Sequence, residues 1–175
     1  MVKFFILLLC WSGTALGTGS TDKEVKNSFK KFDQWYQAHK DYRKIPRAML
    51  SKHLLFYIDL AEKKEKESSE NSKRSSSPTD KPEMIERDIF SSLYEGFNEY
   101  KILGCTIKNN TARLKLELKN THVKPIAVWN DDCILIKENG TWKIDNFIFG
   151  KKGNGFKNTH DIFKSFLHFE QPPVK

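Results

Sequence analysis

An α+β fold, with N-terminal helices packed against a strongly curved antiparallel sheet and a further C-terminal helix, follows from three observations. Apolar residues recur at helical spacing through the first third of the 175-residue chain. From about residue 100 the period shortens to two, as in strands with one buried face. Asn139-Gly140 between two such runs is a strong hairpin signal. Helices first and consecutive strands afterwards place a meander, rather than a parallel sheet, against the helices.

Residues 1–17 read as a secretory leader. Lys3 supplies the positive start, 4–11 an apolar segment too short to span a bilayer, and Ala15-Leu16-Gly17 a small-x-small cleavage site. One mature domain is expected from 18 to 175, periplasmic or extracellular, with no membrane span. Thr21 and Glu24 then form a capping box, and Val25, Phe29, Phe32, Tyr36 and His39, widened by Trp35, predict a helix over 22–39. The stretch 41–46 ends it at Pro46. Ser51 caps a second helix with Leu54, Leu55, Ile58 and Ala61 on its apolar face. The charged, serine-rich run at 63–81 offers almost nothing to bury and predicts a mobile loop. Pro82 opens a short helical turn through Ile89 and Phe90, and 91–98 is irregular.

Strands are predicted at 100–108 and 111–119, joined by Asn109-Asn110; Leu114, Leu116 and Leu118 alternate cleanly with charged residues. A third strand is expected in two pieces, 126–129 and 133–137, interrupted at Asp131-Asp132, and 141–149 is its hairpin partner. Asn158 caps a last helix carrying Ile162, Phe163, Phe166 and Leu167.

The formal net charge is +8. Loss of Lys3 with the leader leaves about +7, which suits an anionic surface or an acidic partner. Nucleic acid is set aside, because the compartment is wrong and no recognised motif occurs. Cys10 leaves with the leader. For Cys105 and Cys133 two readings stay open: an oxidising compartment favours a disulfide, whereas an intervening strand would hold their Cα atoms about 10 Å apart. No C-x-x-C or H-E-x-x-H occurs, so neither a metal nor a cofactor is expected.

The segment Leu135-Ile136-Lys137-Glu138-Asn139-Gly140-Thr141-Trp142-Lys143-Ile144-Asp145-Asn146 resembles the strand, glycine turn and W-K-I-D-x-I/F ending of exported bacterial domains of the nuclear-transport-factor-2-like, or cystatin-like, superfamily. Phe32-Asp33-Gln34-Trp35-Tyr36 resembles its opening helix, and Leu50-Ser51-Lys52-His53-Leu54 its L-S-x-x-L entry to the second. The nearest group is a family of small exported bacterial proteins of unknown function. The resemblance implies a sheet forming a cone around a pocket, and it implies no reaction. Phe32, Trp35, Tyr36, Tyr57 and Trp129 are the candidate pocket lining. Trp142 and Ile144 should pack inward on the helix bearing Phe32, Trp35 and Tyr36.

Enzymes of that superfamily place an Asp/His or Asp/Tyr pair inside the cone for proton transfer. The candidates here are Tyr36, His39, Tyr57, Asp59 and Asp145. Tyr36 reads as a core residue, His39 as a cation at a helix end, Asp59 as solvated and Asp145 as outward-facing by alternation. No pair converges, and no catalytic residue is assigned. Asp131-Asp132 reads as a solvated turn rather than a cation site. Lys151, Lys152, Phe156 and Lys157 form the surface candidate for an anionic partner. The expected function is an exported, non-enzymatic binding module that takes a small ligand or an envelope protein through the cone. The alternatives are an immunity protein or inhibitor of an envelope-acting toxin or hydrolase, and a cone-pocket enzyme of isomerase or dehydratase type. A homodimer formed through the sheet is a further open arrangement.

Overall fold

The computed structural model describes residues 21–74, 81–150 and 155–168. Helix α1 spans Asp22–His39, started by the Thr21 side chain, which accepts from the Glu24 N–H, and closed by Lys40 in the left-handed region. Two 3-10 turns, Tyr42–Lys44 and Arg47–Met49, lead to α2, Lys52–Arg74. Strands β1 (Glu99–Lys108), β2 (Thr111–Asn120), β3 (Ala127–Glu138) and β4 (Thr141–Phe149) pair antiparallel in chain order, and α3 follows at Thr159–Phe166. The predicted class is the observed one: helices, a curled but open meander, and a C-terminal helix. Among the described residues no helix is long and apolar enough to cross a membrane.

Two bulges re-aim side chains within this sheet. Ile102 faces Leu116 while Gly104 faces Lys115, so Leu103 is the extra residue of β1 and is 50% exposed. On β4 the register passes from Asn146 opposite Ile134 to Ile144 opposite Leu135, which leaves Asp145 as the extra residue. A bulge bends its strand and increases the local twist. The result brings both edges of the sheet to one helix, because α1 contacts β1 as well as β4.

Aromatic rings fill the space so enclosed. Phe29 meets Tyr100 of β1 edge-on at 5.0 Å between centroids and Phe147 of β4 at 6.3 Å. Phe32 meets Phe90 at 5.0 Å and Phe147 at 6.2 Å, and Phe90 meets Phe147 at 5.5 Å. Leu114, Leu116, Leu118, Cys133 and Leu135 line the sheet's inner face, all fully buried. The expected inward packing of Trp142 and Ile144 holds in part. Both are buried, but the β4 ring that reaches α1 belongs to Phe147, and Trp142 lies beneath the Lys137 ammonium.

Several expectations need correction. The run from 63 onward is helical as far as Arg74, because its charges have partners. Glu65 accepts from Tyr42 Oη at 2.9 Å, from Arg43 Nε at 2.6 Å and from the Ile85 N–H at 3.0 Å. Lys64 Nζ donates to the Phe166 carbonyl, and Ser68 Oγ accepts from the Glu83 N–H. Composition alone misses these long-range partners. No helical turn follows Pro82, and the chain there runs extended along α2. Strand β3 is continuous through Asp131 and Asp132, which point to opposite faces. Asp131 is buried and accepts from the Ser92 N–H, the Trp129 indole N–H and the Gly150 N–H, at 2.8–3.0 Å. Asp132 pairs with Arg113 on the outer face. Gly150 is required here, since a Cβ would lie 1.9 Å from the Asn130 carbonyl oxygen. Cys105 and Cys133 both register with Leu114, so one strand separates them and both are free thiols.

If the ring cluster supports the sheet's curl, truncating Phe147 to Ala should cost about 3–5 kcal/mol in urea melts. Val128→Ala, on the exposed face of the neighbouring strand, should stay within about 0.5 kcal/mol. Equal effects would show that the curl does not depend on the rings.

Candidate functional site

The residues named from the sequence as a pocket do not line one cavity. Phe32, Tyr36, Tyr57 and Trp129 are buried in protein, and Trp35 is half-buried and stacked on His39. Phe32 belongs to the ring cluster, Trp129 donates its indole N–H to Asp131, and Tyr57 stacks on Phe163 of α3. The concave face is thus occupied by the protein's own side chains. Of the surface candidates, Lys151 and Lys152 lie outside the described residues, as does the leader. Phe156 sits against the Arg87 guanidinium, and Lys157 joins the edge of β4 through a hydrogen bond from the Phe149 N–H.

Of the five acid–base candidates, Tyr36 lines a cleft. The C-terminal end of α1, the first 3-10 turn and the 85–95 segment enclose about 420 Å³ there, between Tyr36, Lys40, Arg43, Arg87, Asp88 and Tyr94. The local folding has clear causes. Lys40 adopts φ +50° as the helix cap, which turns its side chain back so that Nζ donates to the Phe97 carbonyl at 2.6 Å. The same ammonium lies over the Tyr36 and Phe97 rings. Asp88 accepts from the Phe90 N–H at 2.7 Å, and its own N–H donates to the Tyr94 carbonyl. This short loop closes only because Gly96, at φ +74°, carries no Cβ, which would fall 2.0 Å from Asp88 Oδ2.

Burial pushes the Asp88 carboxyl up to about 6, against the lowering effects of the Phe90 N–H, Lys40, Tyr36 and Arg87. The neighbouring Tyr36 phenol is raised in turn, chiefly by burial and then by the Asp88 charge. Arg87 is pulled below its usual range by burial. Its guanidinium lies 5.1 Å from the Phe156 ring centroid and 6.0 Å from that of Tyr94, and Nη2 is buried with no hydrogen-bond partner among the described residues. The cleft therefore combines the Arg87 and Arg43 guanidinia, the Lys40 ammonium and the phenols of Tyr36, Tyr42 and Tyr94 with the carboxyls of Asp41, Glu86, Asp88 and Glu95. Chemically it can receive an oxyanion, and Asp88 can hold or release a proton near pH 6.

The remaining candidates lie elsewhere. His39 is exposed, with Nδ1 on the Trp35 carbonyl, and Asp59 forms an exposed pair with Arg47. Asp145 is buried rather than outward-facing, because the β4 bulge breaks the alternation that the expectation assumed. It accepts from Ser51 Oγ and lies beside His53 and His160, both of which meet the Tyr57 ring, at the junction of α2, β4 and α3. Asp88 and Arg87 carry no periodic signal in the sequence. A comparison with known protein families, curated proteins and solved structures found no match.

The raised Asp88 carboxyl has a measurable consequence. The folded protein holds this proton more tightly than the unfolded chain, whose Asp titrates near 3.9. Its contribution to stability is thus present at low pH and is lost as pH rises from about 4 to about 6. His160, whose pKa burial lowers, acts in the opposite direction, but does so in wild type and variant alike. Asp88→Asn should therefore gain stability relative to wild type across that interval, read from urea melts at a series of pH values. A constant difference would refute the assignment.

Proposed function

We propose that the protein is a non-enzymatic binding module whose site is the cleft beside Tyr36, and that its ligand is small and carries a carboxylate or phosphate group. One observation carries this reading: half-buried Arg87 lines a cleft of ligand size, and its buried Nη2 has no hydrogen-bond partner among the described residues. A desolvated guanidinium gains most from a bidentate oxyanion. Lys40 supplies a second positive charge, and Tyr94 offers a flat surface for an apolar ligand body. The overall charge of +8 would draw anions towards it. The reading includes export by the 1–17 leader and a divergent version of the nuclear-transport-factor-2-like plan. The latter is supported by the long first helix lying across a curled meander. It moves the ligand from the cone interior to its rim, since rings fill the interior.

An inhibitor or immunity role gains from the filled concave face. Its exposed apolar residues argue the other way: Phe56 stands on α2, Met84 and Tyr94 on the 81–98 segment, Leu103 on β1, and Ile126 and Val128 at the start of β3, and side chains so scattered are ordinary. An isomerase-type enzyme would use Asp88 as base, but the Asp88 carboxylate already accepts from the Phe90 N–H and the Tyr36 hydroxyl. A homodimer through the sheet would use β1, whose Leu103 bulge and outward Lys101 and Lys108 blunt its edge.

Calorimetric titration with phenyl phosphate and with benzoate tests the proposal. At least one should bind, and Arg87→Gln should weaken it roughly 10- to 100-fold, the range for a lost charged hydrogen bond. Absence of binding by both, or unchanged affinity in the variant, would exclude the cleft as an oxyanion site.

A further inference from the structure

The junction of α2, β4 and α3 holds a second polar group that the cleft does not use. We propose that His53, Asp145 and His160 form a binding site for a divalent transition metal of the zinc type. One nitrogen from each imidazole and one Asp145 carboxylate oxygen lie within 4.8 Å of one another. Tetrahedral zinc, with bonds of about 2.0–2.2 Å, needs its ligand atoms about 3.3 Å apart. His53 Nδ1 and Asp145 Oδ1 are already 3.7 Å apart. His53 is exposed on the first turn of α2, so a small side-chain rotation can close the remaining gap.

The supporting hydrogen bonds are those that orient metal ligands elsewhere. Ser51 Oγ donates to Asp145 Oδ1 at 2.5 Å and fixes the carboxylate. Ser51 is itself held as the cap of α2, accepting from the Leu54 N–H at 3.0 Å. His160 Nε2 lies 2.9 Å from the Asp145 backbone carbonyl, which can only accept, so that nitrogen carries a proton. The neutral ring then keeps its other nitrogen unprotonated, and burial favours the neutral form. Thr159 anchors the same turn of α3 by donating to the Ile89 carbonyl and accepting from the Phe147 N–H. Buried Asp145 and His160 are therefore placed by rigid elements, and the exposed His53 completes the set.

The Ser51 bond explains why Asp145 is buried, but it does not explain two imidazoles with centroids 4.4 Å apart. The Asp145 carboxylate beside them supplies the negative charge that a cation held between the two rings would need. Two nitrogens and one carboxylate oxygen suit zinc, copper or nickel rather than calcium or magnesium, which take oxygen sets. Three protein ligands, one of them at the surface, leave a coordination position open to solvent.

The full chain, stripped with chelator and transferred to phosphate-free buffer, should bind one Zn²⁺ in calorimetry. Zinc should raise its Tm, and Co²⁺ should give the visible absorption of a tetrahedral site. His53→Ala should weaken zinc at least tenfold and abolish the cobalt band, while its metal-free Tm stays that of wild type because the side chain is exposed. His122→Ala, an exposed histidine on another face, should change nothing. Failure of the wild type to bind zinc, or equal affinity in wild type and His53→Ala, would overturn the proposal.

Discussion

The packing of Phe29, Phe32, Phe90 and Phe147 is the constraint on which the rest of the structure depends. Each ring comes from a different turn or element, and Phe147 touches the other three. A four-stranded meander has two free edges and one apolar face, and neither is stable in water without a cover. Here one helix spans the face. The β1 and β4 bulges bend the sheet until both edges reach that helix, and the rings occupy what would otherwise be a void. Close packing of this kind fills the concave face with the protein's own side chains. Binding chemistry is thereby displaced to places where loops and helix ends meet the rim.

At those places carboxylates join segments distant in sequence. Glu65 gathers the first 3-10 turn and the 85–86 segment onto α2, Asp131 gathers Ser92 and Gly150 onto β3, and Asp145 joins the β4 bulge to the start of α2. Such groups stay stable when buried because each accepts two or more hydrogen bonds or has a charged neighbour. Asp88 and Asp145 differ from the others in their surroundings. Asp88 stands beside a guanidinium with an unpaired nitrogen, and Asp145 beside two histidines. These two positions are the ones whose chemistry exceeds what holding the fold requires.

Much of the fold was legible because its signals are local. The capping box at Thr21, the Asn158 cap and the Asn139-Gly140 turn each depend on a few adjacent residues, and the elements they delimit form where expected. Local preference misleads where distant contacts override it. The charged end of α2 persists because Tyr42, Arg43, Ile85 and Phe166 satisfy it, and no window of sequence contains those partners. Asp145 turns inward because a one-residue bulge shifts the alternation. The sites were the least legible part. His53, Asp145 and His160 are separated by 92 and 15 positions, and Asp88 faces Tyr36 across 52, so no spacing rule could join them.

The central claim is that the concave face is filled and that small-molecule recognition belongs to the rim cleft. Mapping amide chemical shifts by NMR during titration with phenyl phosphate tests it most directly. The account predicts that the perturbed amides cluster at Lys40, Arg87, Asp88 and Tyr94. Perturbations centred instead on Leu114, Leu116 and Leu135, along the inner face of the sheet, would contradict it.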